Sequence, residues 1–254
     1  MEKKKFLIGG YVRDELISKY HPELNIIPND KDYVAIGYTE EEMDKLYGRK
    51  HGKQFPVWID NNGCEIALAR TERKIGNSHT DFEFIFSAET TLREDCERRN
   101  HTINAIAKDI ETGEYIDYFN GIEDIKNKII RCINPETFIQ DPLRVLILSR
   151  QYAQLKDFEI EPLTKRLCWK MAQEGMLKHL SAERVWKELE KALQPGYASH
   201  KFFEFLLEIN ALEDWFPEFQ KLFETPEIKE YHPLENSGKH TMACLKKYEE
   251  LMSE

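Results

Sequence analysis

The chain has 254 residues, 41% of them hydrophobic and 32% charged, with a formal net charge of −10. That length holds one large domain or two or three small ones around a buried core, and no run approaches the roughly 18 apolar residues that a helical membrane span needs. The acidic balance excludes a uniformly basic nucleic-acid binder, but not local basic clusters such as Arg70, Arg73 and Lys74, Arg98 and Arg99, or Arg144 and Arg150.

The start, MEKKKFLIGG, has an apolar run of only three residues before its glycines, too short for a signal peptide. Phe6–Ile8 reads as a strand that runs into Gly9-Gly10 and a helix over Val12–Ser18. Two glycines between a strand and a helix let backbone approach a phosphate, and a helix start offers free N–H groups to the anion. Asp30 and Asp32 follow, leading into the apolar run Tyr33–Ile36. On an extended strand, carboxylates at i and i+2 point to one side, so both can reach one hard cation. The plainer reading of Asn29-Asp30-Lys31-Asp32 is a polar turn. A helix is expected at Glu40–Tyr47, then strands at Val57–Ile59, Glu65–Ala69, Phe82–Phe86 and Tyr115–Asp117, separated by Gly, Asn and Asp turns. Glu65 is either a third carboxylate for the same cation or an exposed acid at a strand start.

A helix is expected at Arg99–Lys108, with Arg98 and Arg99 at its start and Asn104 one turn on. Arginine can hold phosphate or ribose oxygens in a bidentate fork, although an adjacent pair often only solvates a face. From Pro142 to Glu254 no strand is evident, and apolar residues recur at helical spacing, with Ser181 as a helix N-cap signal. Asp141-Pro142-Leu143-Arg144 opens this region. Asp141 fits a simple N-cap; alternatively Asp141 and Arg144, three apart, offer an acceptor and a donor fork to a base edge. His101, His179 and His232 lack metal-ligand spacing. Cys64, Cys96, Cys132, Cys168 and Cys244 form no CxxC pair and read as reduced thiols of a cytoplasmic protein. The fold class is therefore α+β, a mixed-sheet head followed by an all-helical remainder.

Taken in order, LIGGYVRDEL, NDKDYVAIG, EIALARTERK, RRNHTINAIAKD, DYFNGIEDIKNKIIR, DPLRVL and LSAERVWKELEKAL resemble the class II, bacterial-type CCA-adding tRNA nucleotidyltransferases. The resemblance covers residues 6–195 and continues more weakly beyond. It implies a nucleotidyltransferase head at 1–138, a helical neck at 139–200, a helical body at 201–230 and, at 231–254, the truncated start of an HD-like tail. It implies template-independent building and repair of the tRNA 3′-terminal CCA from CTP and ATP, with Mg2+ held by Asp30 and Asp32. Gly10, Arg13, Arg99, Asp141, Arg144 and Arg150 become the expected nucleotide contacts, Asp141 and Arg144 imitating a template base. Residues 71–87 correspond to a flexible loop that switches C to A addition. No DNA and no membrane partner is expected.

The chain departs from the family pattern at Gln140, Ile147 and Asn100, where Glu, Arg and Asp are usual. YHPLENSGKHTMACL resembles the entry to an HD phosphohydrolase domain, with His240 matching its first metal histidine. No His-Asp doublet follows, so that activity is not expected. Rival readings are a CC-adding or A-adding enzyme, a poly(A) polymerase of the same superfamily, or an inactive RNA-binding module.

Overall fold

In chain order the N-terminal half runs β1 (Lys4–Ile8), α1 (Gly10–Tyr20), β2 (Asp32–Ile36), α2 (Glu40–Tyr47), β3 (Val57–Ile59), β4 (Glu65–Leu68), β5 (Arg70–Lys74), β6 (Phe82–Phe86), α3 (Leu92–Glu97), β7 (Ala107–Asp109), β8 (Tyr115–Ile116), α4 (Gly121–Lys126) and β9 (Ile129–Ile130). The computed structural model describes residues 2–52, 56–74, 82–228, 230 and 234–252. They fall into two units, Met1–Thr137 and Phe138–Glu254.

Six strands of the first unit form one mixed sheet in the order β3-β4-β2-β1-β7-β8. Only β2 and β4 run parallel in it. Strand alternation sorts its side chains. Phe6, Ile8, Val34 and Ile36 face one way and pack with Leu92 and Cys96 of α3, while Ala35, Ile66 and Leu68 face the other way with Met43 of α2 and Trp58. Local signals fix the covering helices. Thr39 and Glu42 form a reciprocal capping box at the start of α2, and Thr91 and Glu94 repeat it at α3.

The second unit is almost wholly helical. After α5 (Pro135–Gln140), whose first residues precede the boundary, come α6 (Leu143–Gln154), the two-residue strand β10 (Glu159–Ile160), α7 (Pro162–Gln173), α8 (Ala182–Ala192), α9 (Ser199–Glu208), α10 (Leu212–Trp215), α11 (Pro217–Glu224) and α12 (Ser237–Leu251). Buried Val145, Leu146 and Leu148 of α6, Val185 and Leu189 of α8, and Phe202, Phe205 and Leu206 of α9 fill its core. Phe203, Phe216, Phe219 and Phe223 continue it as a chain of edge-to-face rings with centroids 4.7–6.0 Å apart.

Four expectations change. Residues 99–108 are not a helix: α3 ends at Glu97, Thr102–Asn104 make one 3₁₀ turn, and Ala107 pairs with Ile8 as part of β7. The alternating apolar residues there belong to a sheet and its approach, so tertiary pairing overrides helical spacing. The region after Pro142 does contain a strand, β10. Residues 71–87 are in part a hairpin, with β5 and β6 in register from Arg70 opposite Phe86 to Lys74 opposite Phe82; residues 75–81 lie outside the described residues. Finally, β2 starts at Asp32, and Asp30 sits before it at φ 44°. Asp30 is a turn residue in the left-handed region that Asp tolerates, so strand alternation does not align the two carboxylates.

Candidate active site

The register of β1 and β2 brings the site together. Ile8 lies opposite Asp32, so the Gly9-Gly10 turn leaves the sheet beside that carboxylate. Gly9 has φ +83°, a conformation that glycine adopts without strain. Its Cβ position would lie 3.4 Å from Nη1 of Arg99, and that of Gly10 3.8 Å from Nη2 of Arg13. Two guanidiniums therefore border the glycine turn. Helix α1 starts there with no side-chain cap, leaving its first backbone N–H groups for another acceptor.

Both arginines are held from behind. Arg13 is buried; its Nε donates to Asp14 at 2.7 Å and its Nη1 to Asn104 at 3.1 Å. Arg99 Nη2 donates to Asp95 at 3.1 Å, while its Nε is buried with no hydrogen-bond partner among the described residues. Asp95 is fully buried and also accepts from Arg98 Nε and Nη2, at 2.9 and 2.7 Å, and from the Arg70 backbone N–H at 3.3 Å. Burial pushes its carboxyl pKa up, but the charges of Arg98 and Arg99 outweigh burial and hold it below the usual carboxylate range.

Asp32 shows the opposite balance. Its pKa is raised, first by desolvation and then by the charge of Glu65, with Asp30 adding to the rise and Arg99 opposing it. Glu65 is its direct neighbour in the parallel β2–β4 register. Carboxylates crowded in this way favour either a shared proton or a hard cation. Among the described residues no three His, Cys, Asp or Glu side chains form a ready-made metal cage.

Residues 5–131 match the family model described as the poly A polymerase head domain. This chain belongs to that family. Residues 157–223 match a second model, described as a probable RNA and SrmB-binding site of polymerase A. The head-domain chain is 43% identical over 242 residues to the multifunctional CCA protein of Dechloromonas aromatica (strain RCB), covering 94% of this chain and 56% of that protein. It spans little more than half the length of that relative. Among solved structures, a CCA-adding enzyme in an apo form superposes with a TM-score of 0.70 at 28% identity, over 87% of this chain and 54% of the other. A CCA-adding enzyme in complex with CTP gives 0.65 at 28% identity, over 85% and 50%. The Thermotoga maritima CCA-adding enzyme complexed with tRNA gives 0.64 at 28% identity, over 85% and 49%.

The remaining expected contacts of this family member lie between its two matched segments, within the second unit. Asp141 Oδ1 accepts from the Leu143 backbone N–H, two residues on, at 3.1 Å, while Oδ2 accepts from Arg184 of α8 at 2.8 Å; the N-cap position of α6 is Pro142, with no side-chain cap bond. Arg144 is buried in α6. Arg150 donates through Nε to Glu188 at 2.6 Å, tying α6 to α8. Ser181 precedes α8 but makes no side-chain cap bond. His240 lies in α12, with its Nε2 3.6 Å from the Cys244 sulfur; His232 lies outside the described residues, and so do residues 231 and 233 of the HD-like segment. All five cysteines are free, and among the described residues no helix is long and apolar enough to cross a membrane.

Sequence reasoning missed Asp95 and Arg184. Asp95 precedes Arg98 and Arg99 by three and four residues, the spacing at which helical side chains meet, so that signal was present. Arg184 is 43 residues from Asp141 and carried no local signal.

Proposed function

We propose that this chain is a template-independent tRNA nucleotidyltransferase that builds and repairs the 3′-terminal CCA from CTP and ATP. One observation carries the reading: the β1–β2 register sets a glycine turn bordered by two guanidiniums beside the Asp32 carboxylate. Such a site can hold a triphosphate and direct transfer at its α-phosphorus. The likeness to a multifunctional CCA protein and to CTP-bound and tRNA-bound CCA-adding enzymes supports the substrates.

In the proposed step the RNA 3′-oxygen attacks the α-phosphorus, the bond to the β-phosphate oxygen breaks, and pyrophosphate leaves. The α1 N-terminus, Arg13 and Arg99 bind and orient the triphosphate. Asp30 and Asp32, with Glu65 adjacent, are hard oxygen donors whose crowded charge fits Mg2+; when bound, that ion lowers the pKa of the attacking hydroxyl and neutralises the charge developing on the phosphate. Asp141 and Arg144 select the base through its hydrogen-bonding edge, and Arg184 sets the free geometry of Asp141. Arg150 supports them through its ion pair with Glu188. The head would occupy 1–138, the neck 139–200, the body 201–230, with 231–254 opening an HD-like tail, in a cytoplasmic protein.

The experiment supplies tRNA ending at the discriminator base with CTP, ATP or both. The reading requires full CCA extension with both nucleotides. Arrest after CC, addition of A alone, a long A tail, or no extension sinks it in favour of the corresponding rival. Replacing Asp30 and Asp32 together by Ala should abolish extension while tRNA binding persists.

A further inference from the structure

The second unit contains a cleft of about 300 Å³ that the transfer chemistry does not use. Ile160, Pro162 and Ile209 supply its apolar lining, and Trp169 of α7 lies in its wall with 45% of its surface exposed. Trp169 thus offers part of a large planar ring to the cleft, a face against which another ring can stack. Two cations of α7 share the lining. Lys165 donates to both carboxylate oxygens of Glu208, at 3.0 and 3.1 Å, so those charges offset each other. Arg166, three residues before Trp169 and exposed, makes no side-chain ion pair or hydrogen bond among the described residues. The cleft therefore offers one aromatic face and one uncompensated guanidinium, in a volume at the small end for ligand sites.

We propose that this cleft holds a single unpaired nucleotide of the RNA substrate, its base stacked on Trp169 and its phosphate paired with Arg166. The proposal rests on reading the chain as an enzyme acting on RNA. Stacking on an aromatic ring beside a cation is the usual way protein grips an unpaired base. A peptide helix would call for a longer apolar stripe than three side chains provide.

The test measures binding of a labelled tRNA transcript lacking its CCA end to the full chain and to Trp169→Ala, Trp169→Phe and Arg166→Ala, with circular dichroism confirming the fold. Trp169→Ala should weaken binding about tenfold, the loss of one base stack. Trp169→Phe should recover most of it, and Arg166→Ala should lower the salt dependence by about one counterion. In extension assays KM for tRNA should rise while kcat and KM for CTP stay unchanged. Unchanged RNA affinity in Trp169→Ala overturns the proposal and turns the cleft toward a peptide, even where the wild-type chain extends tRNA normally. Weakened binding without extension by any form keeps the cleft assignment and sinks the enzyme reading. Absence of RNA binding by the wild-type chain overturns both.

Discussion

Replacing Asp95 by Asn tests whether one buried carboxylate organises the arginine side of the site. The change keeps the shape but removes the charge that Arg98 and Arg99 share, and it can turn an amide N–H₂ toward the Arg98, Arg99 and Arg70 donors. Removing one partner of a buried ion pair costs about 3–5 kcal/mol. Here the Arg98 and Arg99 side chains are 14% and 21% exposed and regain some hydration, which favours the lower end, about 3 kcal/mol. For a unit of this size that corresponds to a fall of about 10 °C in melting temperature. The pH dependence gives a second readout. The folded pKa of Asp95 lies below its unfolded value of about 3.9, so its contribution is complete above that pH and disappears as pH falls through the folded pKa. Calorimetry of both proteins should show the full gap at pH 7 and a narrowing gap below about pH 4. A variant melting within about 2 °C of wild type at neutral pH, or a gap unchanged in acid, would refute the anchoring role. Because Arg99 loses its support, KM for CTP should rise as well.

Other substitutions probe separate parts of the chain. Asp32→Asn removes a carboxylate that burial and Glu65 disfavour in its ionised form, so in EDTA at neutral pH it should raise the melting temperature by a few degrees, and in a separate assay with Mg2+ it should abolish extension; a lower midpoint contradicts the crowding. Arg184→Ala breaks a partly exposed pair with Asp141 worth about 0–1 kcal/mol, so stability should barely move while the ratio of C to A incorporation changes; unchanged selectivity detaches Arg184 from base choice. At Gly121 a Cβ would lie 2.8 Å from the Thr102 carbonyl carbon and 2.9 Å from Ile106 Cγ1, so Gly121→Ala should cost about 1–3 kcal/mol in urea unfolding, with KM for tRNA unchanged and any loss of folded protein seen only in the maximal rate.

How much could be read from the chain follows how far each interaction reaches along it. Helix α2 was legible because its start is written locally, in Thr39 and Glu42. Strands β1 and β2 were legible because short apolar runs beside glycine and aspartate turns leave few alternatives. Residues 99–108 were not, because Ile103, Ile106 and Ala107, spaced i, i+3 and i+4, suit a helix until Ala107 pairs with Ile8, a partner about a hundred positions away. The same limit governs the site. Residue types for phosphate and cation chemistry stood out at Gly9-Gly10, Asp30 and Asp32, but their alignment depends on the fold: Asp32 owes its raised pKa first to burial and then to Glu65 on β4, and Asp30 lies outside the strand expected to align it. Asp95 marks the boundary between the two cases. Its spacing to Arg98 and Arg99 is local and readable, whereas its complete burial and its bond to the Arg70 backbone come from the fold. That burial turns an i, i+3 and i, i+4 arrangement, worth a few tenths of a kcal/mol on an exposed helix, into the support on which Arg99 rests against Gly9.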